Sequence, residues 1–152
     1  MIEVEIQNEQ SLLLIEAARI ADAVRSILVG EGIASGQVNV AILDAAAIHA
    51  MNRQWLEHNY PTDVLSFVIE HEGDHLEGDI AVSAQMALDM AAGFGWQPTD
   101  ELLLYVVHGA LHIVGYDDQT DEALAAMRER EQHYLRQFGL EPSYTAREVR
   151  LS

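Results

Sequence analysis

Two histidines separated by three residues lie in the segment HGALHIVGYDDQTD, and imidazole is a common ligand of protein-bound metal ions. On a helix, His108 and His112 would project from one face one turn apart, so a single ion could contact both side chains. Gly115 can end such a helix in a left-handed conformation, after which the chain can return Asp117 or Asp118 to the same ion. Two imidazoles and one carboxylate would leave a fourth position for water, as catalytic zinc sites require. The spacing therefore predicts a metal site.

The position of the glycine favours Asp118 as the third ligand. Metzincin-type peptidases place a ligand three residues after the equivalent glycine, which is the spacing from Gly115 to Asp118. The competing interpretation is a buried helix whose histidines are satisfied by hydrogen bonds alone. Burying two imidazoles beside a carboxylate is costly without a partner, and a metal ion is such a partner. The metal site is therefore the favoured interpretation.

The residue after the first histidine separates this pattern from that of many zinc peptidases. In the H-E-x-x-H motif a glutamate at this position takes the proton from water, and Gly109 stands there instead. Peptide hydrolysis is therefore disfavoured, whereas metal-assisted hydrolysis of another bond stays open. A glycine inside a helix also costs up to about 1 kcal/mol relative to alanine, so we predict that something approaches the helix closely there.

A second histidine pair, His71 and His75 in HEGDH, matches H-E-x-x-H literally but lacks its structural context. The motif binds metal only on a helix, and here Gly73 and Asp74 lie between two predicted strands. The segment HEGDHLEG is therefore predicted to be a loop. The remaining histidines are predicted to be solvated on polar helix faces: His49, His58 and His133.

The composition bounds the classes of function. The chain has 152 residues, 25 acidic and 8 basic, with a formal charge of −17, and all 8 basic residues are arginine. This charge argues against broad nonspecific binding to nucleic acid, although a local arginine patch or a metal could still meet phosphate. Cysteine is absent, so any zinc site must use histidine and carboxylate. No apolar run is long enough to cross a membrane and the N-terminus is acidic, so we expect a cytoplasmic protein.

Apolar periodicity predicts four strands and about five helices in one α/β or α+β domain spanning residues 1–152, with a frayed tail after Pro142. The predicted strands are 1–8, 37–43, 63–70 and 79–83, and the predicted helices are 11–32, 44–59, 84–95, 99–115 and 120–139. Ser11 and Asp44 are predicted to cap the first two helices. The inward face of the first helix is predicted to comprise Leu13, Ala17, Ile20, Val24 and Ile27. The helix from Thr99 is apolar almost all round, which predicts a central, buried position.

Four segments in order resemble a known family. HGALHIVGYDD resembles the HGxLHLxGYDH signature of the YbeY family of metal-dependent endoribonucleases and ribosomal RNA maturation factors. PTDVLSF, from Pro61 to Phe67, resembles its TDVLSF block, and EGDIAVS, from Glu77 to Ser83, resembles its GDI block. MNRQW resembles the LN element that precedes them. These blocks span most of the chain from Met51 onward.

The resemblance implies a fold, a cofactor and a function. It implies a four-stranded central sheet, and one zinc ion held by His108, His112 and Asp118. It further implies cleavage of single-stranded RNA, maturation of the 3′ end of small-subunit ribosomal RNA and ribosome quality control, with small-subunit ribosomal proteins as further partners and no membrane partner. The alternatives are a metallopeptidase or other metal hydrolase, and a non-catalytic ribosome-assembly factor with a structural zinc. The sequence does not specify the oligomeric state.

The chain departs from the family pattern at two positions. Asp118 stands where the family has a third histidine, which lowers the net charge of a metal centre and makes manganese more credible beside zinc. Leu56 stands where the family has an arginine that handles phosphate. Arg53, about one helical turn earlier, is the candidate catalytic replacement, and a solvated helix arginine is the alternative.

Further residues of the matched blocks have two interpretations each. Asp117 either orients a ligand histidine or caps the turn, and Tyr116 either stacks a base or, as we favour, packs. Thr62, Asp63 and Ser66 are candidates for shaping a cleft, with capping as the alternative for Asp63. A cluster of arginines is interpreted either as an RNA-binding patch or as a solvated surface: Arg128, Arg130, Arg136, Arg147 and Arg150.

Overall fold

Within the described residues, which are 1–56, 62–142 and 144 of this computed structural model, four strands form one mixed sheet flanked by five helices. In chain order the elements are β1 (Ile2–Glu9), α1 (Ala17–Gly30), β2 (Ser35–Leu43), α2 (Ala45–Leu56), β3 (Val64–Glu72), β4 (His75–Ser83), α3 (Ala84–Phe94), α4 (Pro98–Val114) and α5 (Asp121–Arg136). The predicted fold class and the predicted numbers of strands and helices are confirmed.

Several predictions concern residues that lie outside this described part of the chain. They are the predictions for His58, Pro61, Arg147, Arg150 and the side chain of Leu56. The domain bounds of 1–152 and the frayed tail likewise stay predictions.

The sheet has the order β1-β2-β4-β3. Strands β1, β2 and β4 are parallel to one another, and β3 runs antiparallel to β4. Alternate residues of β4 serve two separate hydrophobic clusters, because successive side chains point to opposite faces of a sheet. Ile80 and Val82 belong to the main core with α1 and α4, whereas Ala81 packs with Leu65 and with Ile48 of α2. The sheet therefore has helices on both faces.

The segment predicted to be a loop, HEGDHLEG, instead forms the paired ends of β3 and β4. Glu72 lies opposite His75, so the connection is a turn of two residues, and Gly73 adopts φ +61° there. Two-residue turns of this kind join antiparallel strands whose own twist they match. The polar composition concealed the strands, because this end of the hairpin is largely exposed. The HEGDH segment is not helical, as predicted.

The first helix begins later than Ser11, at Ala17. The side-chain oxygen of Gln10 accepts hydrogen bonds from the backbone N–H groups of Leu12 (2.8 Å) and Leu13 (2.9 Å), and these bonds hold the chain in a turn before the helix. Ser11 therefore does not cap α1, and Ala17 is exposed rather than inward. The other predicted inward residues of the helix itself are buried: Ile20, Val24 and Ile27.

The predicted central helix is confirmed in α4. Eleven of its residues are buried, and they lie on all sides of the helix. It packs against α1, α3 and α5 as well as against β3 and β4. At its N-terminus Pro98 occupies the first turn, where its missing N–H costs nothing, and Asp100 accepts from the backbone N–H of Gln97 at 3.2 Å. None of the described helices combines the length and apolar character needed to cross a bilayer.

The close approach predicted at Gly109 is present. A Cβ atom added to this residue would lie 2.8 Å from Cγ2 of Ile80 and 3.1 Å from Cγ2 of Val64. Gly78 of β4 likewise allows the sheet to approach α4 closely, because a Cβ atom at Gly78 would lie 3.2 Å from Cδ1 of Ile113. Helix and sheet therefore meet at two positions without side chains, and the glutamate of a zinc peptidase has no room at position 109.

We predict that Gly109→Ala destabilises the protein even though alanine favours helices. The added methyl group would overpack the contact with Ile80 and Val64, which typically costs about 1–3 kcal/mol and exceeds the gain of about 1 kcal/mol in helix propensity. Urea unfolding measures the difference. Ala125→Gly, at an exposed position of α5, calibrates helix propensity alone. Stabilisation by Gly109→Ala equal to the loss in Ala125→Gly would contradict this account.

Candidate metal centre

Helix α4 and the loop after it bring together the three predicted metal ligands. The Nε2 atoms of His108 and His112 are 3.1 Å apart, and Oδ2 of Asp118 lies 3.8 Å from each of them. The chain reverses at Gly115, which adopts φ +120°. All ligand atoms lie within 4.8 Å of one another, so the cluster could hold one metal ion.

Asp117, the other candidate for third ligand, points elsewhere. Its Oδ1 accepts a hydrogen bond of 3.0 Å from the backbone N–H of Gln119. This is the local turn-forming bond that aspartate side chains often make. Of the two interpretations for Asp117, the structure therefore favours capping of the turn.

Both histidines have the hydrogen-bond pattern of metal ligands. Nδ1 of His108 lies 2.6 Å from a carboxylate oxygen of Glu131, and Nδ1 of His112 lies 3.1 Å from the backbone oxygen of Tyr116. Because both partners are acceptors, each neutral imidazole carries its proton on Nδ1. Each Nε2 lone pair is then directed into the cluster, as ligation by imidazole requires. The donor set therefore fits a divalent ion.

Glu131 is a residue of the site that the sequence interpretation did not assign. It belongs to α5 and is buried, with 3% exposure, between His108 and Tyr144. The hydroxyl of Tyr144 donates a hydrogen bond of 2.6 Å to its second oxygen. The available signal was that Glu131 interrupts the apolar face of α5, because a buried acid on such a face needs a partner.

A cavity of about 430 Å³ lies beside the cluster. His108, Asp118 and Glu131 form part of its polar wall, while Met86, Met90, Phe94 and Leu104 form much of its apolar wall. The concave site thus combines an apolar wall with several polar and charged side chains, and a ligand-binding pocket needs both.

Of the three residues predicted to shape a cleft, two line this cavity: Thr62 and Asp63. Asp63 also has the alternative capping role. Its side-chain Oδ1 accepts a hydrogen bond of 2.8 Å from the backbone N–H of Val64, and its backbone carbonyl accepts one of 2.9 Å from the backbone N–H of Ser83. Ser66 is not among the lining residues in the described part of the chain.

The arginine at the cavity is Arg128 of α5, whose guanidinium lies 5.1 Å from the centroid of the Tyr144 ring. Arg53 is exposed in the last turn of α2 and is not one of the described lining residues, so its catalytic role stays a prediction. The two other arginines of the predicted cluster that lie on α5 form ion pairs with carboxylates. Arg130 pairs with Glu31 and Arg136 with Glu141.

Comparison with known proteins identifies the family. The model of the family described as endoribonuclease YbeY matches residues 5–139. The chain belongs to the endoribonuclease YbeY family. Endoribonuclease YbeY of Rhodopirellula baltica is 45% identical over 131 residues, which cover 84% of this chain and 68% of that protein. The corresponding protein of Chlorobaculum tepidum is 37% identical over 121 residues, covering 80% and 88%.

A solved structure has the same fold. The solution structure of TM1509 from Thermotoga maritima aligns with a TM-score of 0.63 at 28% identity, covering 87% of this chain and 86% of that one. Membership in the YbeY family confirms the predicted enzyme class, a hydrolase that acts on RNA phosphodiester bonds. It favours a nuclease over the metallopeptidase alternative.

In this YbeY-family site the two histidines differ electrostatically. Burial lowers the pKa of His108, but the hydrogen bond and negative charge of Glu131 raise it further, so the net pKa lies above 6.5. Burial and the charge of His108 together hold the pKa of His112 below 6.5, although Asp118 opposes them. A proton on one imidazole therefore disfavours a proton on the other.

We predict that Glu131→Gln lowers the pKa of His108 in the metal-free protein, because the variant keeps a hydrogen-bond acceptor and loses the charge. NMR titration of the imidazole protons measures this change, with exposed His71 as an internal reference. Since the folded-state pKa of His108 is raised, the stabilisation from this pair is complete below pH 6.5 and is lost as pH rises through the folded-state value. If the pKa of His108 is the same in Glu131→Gln as in the wild type, Glu131 is not the cause of the raised pKa.

Proposed function

We propose that this chain is a zinc-dependent endoribonuclease that cleaves single-stranded RNA, with His108, His112 and Asp118 holding one ion. Its role would be maturation of the 3′ end of small-subunit ribosomal RNA and ribosome quality control in the cytoplasm, with small-subunit ribosomal proteins as partners. The observation that carries the proposal is the convergence of three ligand atoms beside an open cavity in a member of the YbeY family.

The donor set supports zinc. Two imidazoles and one carboxylate are a known catalytic zinc set that leaves room for water or substrate, and one carboxylate also accommodates manganese. When bound, such an ion supplies Lewis-acid activation of water and of a phosphoryl group. Glu131 and the carbonyl of Tyr116 hold the imidazoles in the required tautomer. Asp118 adds the one negative ligand charge.

The cavity supports a single-stranded substrate. Single-stranded RNA exposes unstacked base faces, and apolar or aromatic side chains bind such faces. The wall formed by Met86, Met90 and Phe94 offers this kind of surface beside the cluster. Arg128 is the basic residue of the described lining and is the side chain we assign to phosphate contact. A divalent ion would offset part of the local negative charge in a chain of −17.

The alternative of a structural zinc has less support. Structural zinc sites are closed by four protein ligands, whereas the cluster in the described part of the chain has three. The adjoining cavity of about 430 Å³ would give a substrate access to the fourth coordination position of the ion.

We predict that His112→Ala reduces cleavage of a single-stranded RNA by at least about 100-fold, because the ion loses a ligand and is held weakly. Removal of metal with a chelator should have a similar effect, and added zinc should restore only the wild type. Metal analysis and an RNA cleavage assay test both results. His71→Ala is the matched control, since this histidine is exposed on β3 away from the cavity lining. Unchanged cleavage in folded His112→Ala would overturn the proposal.

We predict that Asp118→His shifts the pH profile of cleavage toward lower pH. A third neutral imidazole removes one negative charge from the ligand set, so the Lewis acidity of the ion increases. The pH at half-maximal rate, measured for wild type and variant loaded with the same metal, tests this shift. A profile that moves toward higher pH would contradict the assigned role of Asp118.

A further inference from the structure

A second polar cluster lies at the end of α1 and contacts the loop that carries Asp118. The side chain of Glu31 accepts a hydrogen bond of 2.6 Å from the hydroxyl of Tyr116 on one oxygen. Its other oxygen accepts from the hydroxyl of Tyr134 at 2.5 Å and from Arg130 at 2.8 Å. One carboxylate thus joins α1, the loop after α4, and α5.

This carboxylate is well satisfied although its side chain is only 13% exposed. Burial raises the pKa of Glu31, but the hydrogen bonds from the two tyrosines and from Arg130 lower it further, so the net pKa is below 4.5. Charge-assisted bonds of this kind are stronger than bonds between neutral groups. The cluster is therefore a firm attachment point for whatever it holds.

Tyr116 links this attachment point to the metal centre. At one end its hydroxyl reaches Glu31, and at the other its backbone oxygen accepts from Nδ1 of His112 at 3.1 Å. Its own N–H donates to the carbonyl of Leu111 at 3.0 Å, which ties the loop to the last turn of α4. Asp118 follows two residues later. The position of Tyr116 thus affects two of the three ligands.

We propose that Glu31 is a positioning residue for the metal centre, holding Tyr116 so that its carbonyl orients His112 and its loop presents Asp118. The inference rests on the proposed function, because it concerns the same three ligands. It assigns a role in metal binding to the residue that follows α1, which makes no direct contact with a ligand side chain in the described hydrogen bonds.

The two tyrosines provide a matched pair of variants. Tyr116→Phe and Tyr134→Phe each remove one hydroxyl donor from the same carboxylate, but only Tyr116 contacts His112. If Glu31 merely ties helices together, both variants lower stability and neither changes metal binding. If it positions the centre, zinc affinity falls about 10-fold or more in Tyr116→Phe and stays within about twofold of wild type in Tyr134→Phe.

The measurements are zinc affinity, by competition with a chromophoric chelator, and the visible spectrum of the cobalt(II)-loaded protein. We expect Tyr116→Phe to alter the cobalt spectrum, since ligand orientation changes, and Tyr134→Phe to retain it. Glu31→Ala, which removes the acceptor of the Tyr116 hydroxyl, should resemble Tyr116→Phe, and adding Tyr116→Phe to Glu31→Ala should cause little further loss. Thermal unfolding of each variant confirms that the comparison is made on folded protein.

The outcomes separate this inference from the proposed function. If wild type binds zinc and His112→Ala does not, while Tyr116→Phe binds as tightly as wild type with the same cobalt spectrum, the role of Glu31 is overturned and the metal site stands. Equal loss of affinity in Tyr116→Phe and Tyr134→Phe also overturns the specific link through Tyr116. If wild type and His112→Ala bind zinc equally, the proposed metal centre itself fails, and the positioning role fails with it.

Discussion

Helix α4 can carry the two candidate metal-ligand histidines at the centre of the protein because it lies directly on β3 and β4 at Gly109. A side chain at this position would overlap Ile80 and Val64. Three other helices pack on the remaining sides of α4. This packing fixes the position of the helix and therefore the direction in which each of its side chains points. One consequence is chemical: the position where a zinc peptidase has its general base is occupied here by the packing contact itself. A general base for the hydrolysis, if one is used, would therefore have to come from another residue.

The histidines of α4 are half-buried, with 25% and 27% of their side chains exposed, and so they need hydrogen-bond partners. A polar group removed from water costs free energy unless it is hydrogen-bonded, so each Nδ1 needs an acceptor. Glu131 of α5 supplies one, and the carbonyl of Tyr116 supplies the other. Those partners are in turn held by Tyr144 and Glu31. Layers of hydrogen bonds thus extend from the cluster to α1 and α5.

The cavity reconciles an acidic chain with an RNA substrate. A charge of −17 argues against broad electrostatic attraction to RNA, so we expect binding to depend on local features. An apolar wall for bases and one arginine line a single cleft, and the three converging candidate ligands lie beside it. This arrangement favours a substrate that can separate its bases and enter a pocket. A rigid duplex would present mainly phosphate to an acidic surface.

The sequence by itself determined the candidate ligand set and the general fold. His108 and His112 are set by helical spacing, Asp118 by its distance from the glycine, and the buried character of α4 by its composition, because these are local properties. The hairpin at HEGDH was misread because its exposed strand ends are polar, and the start of α1 because the side chain of Gln10 competes with helix formation. Glu131, Tyr116, Glu31 and Arg128 acquired their places only in the tertiary structure. Their partners lie on other elements, and Glu31 is separated from Tyr116 by 85 residues, so no local pattern could specify the contacts.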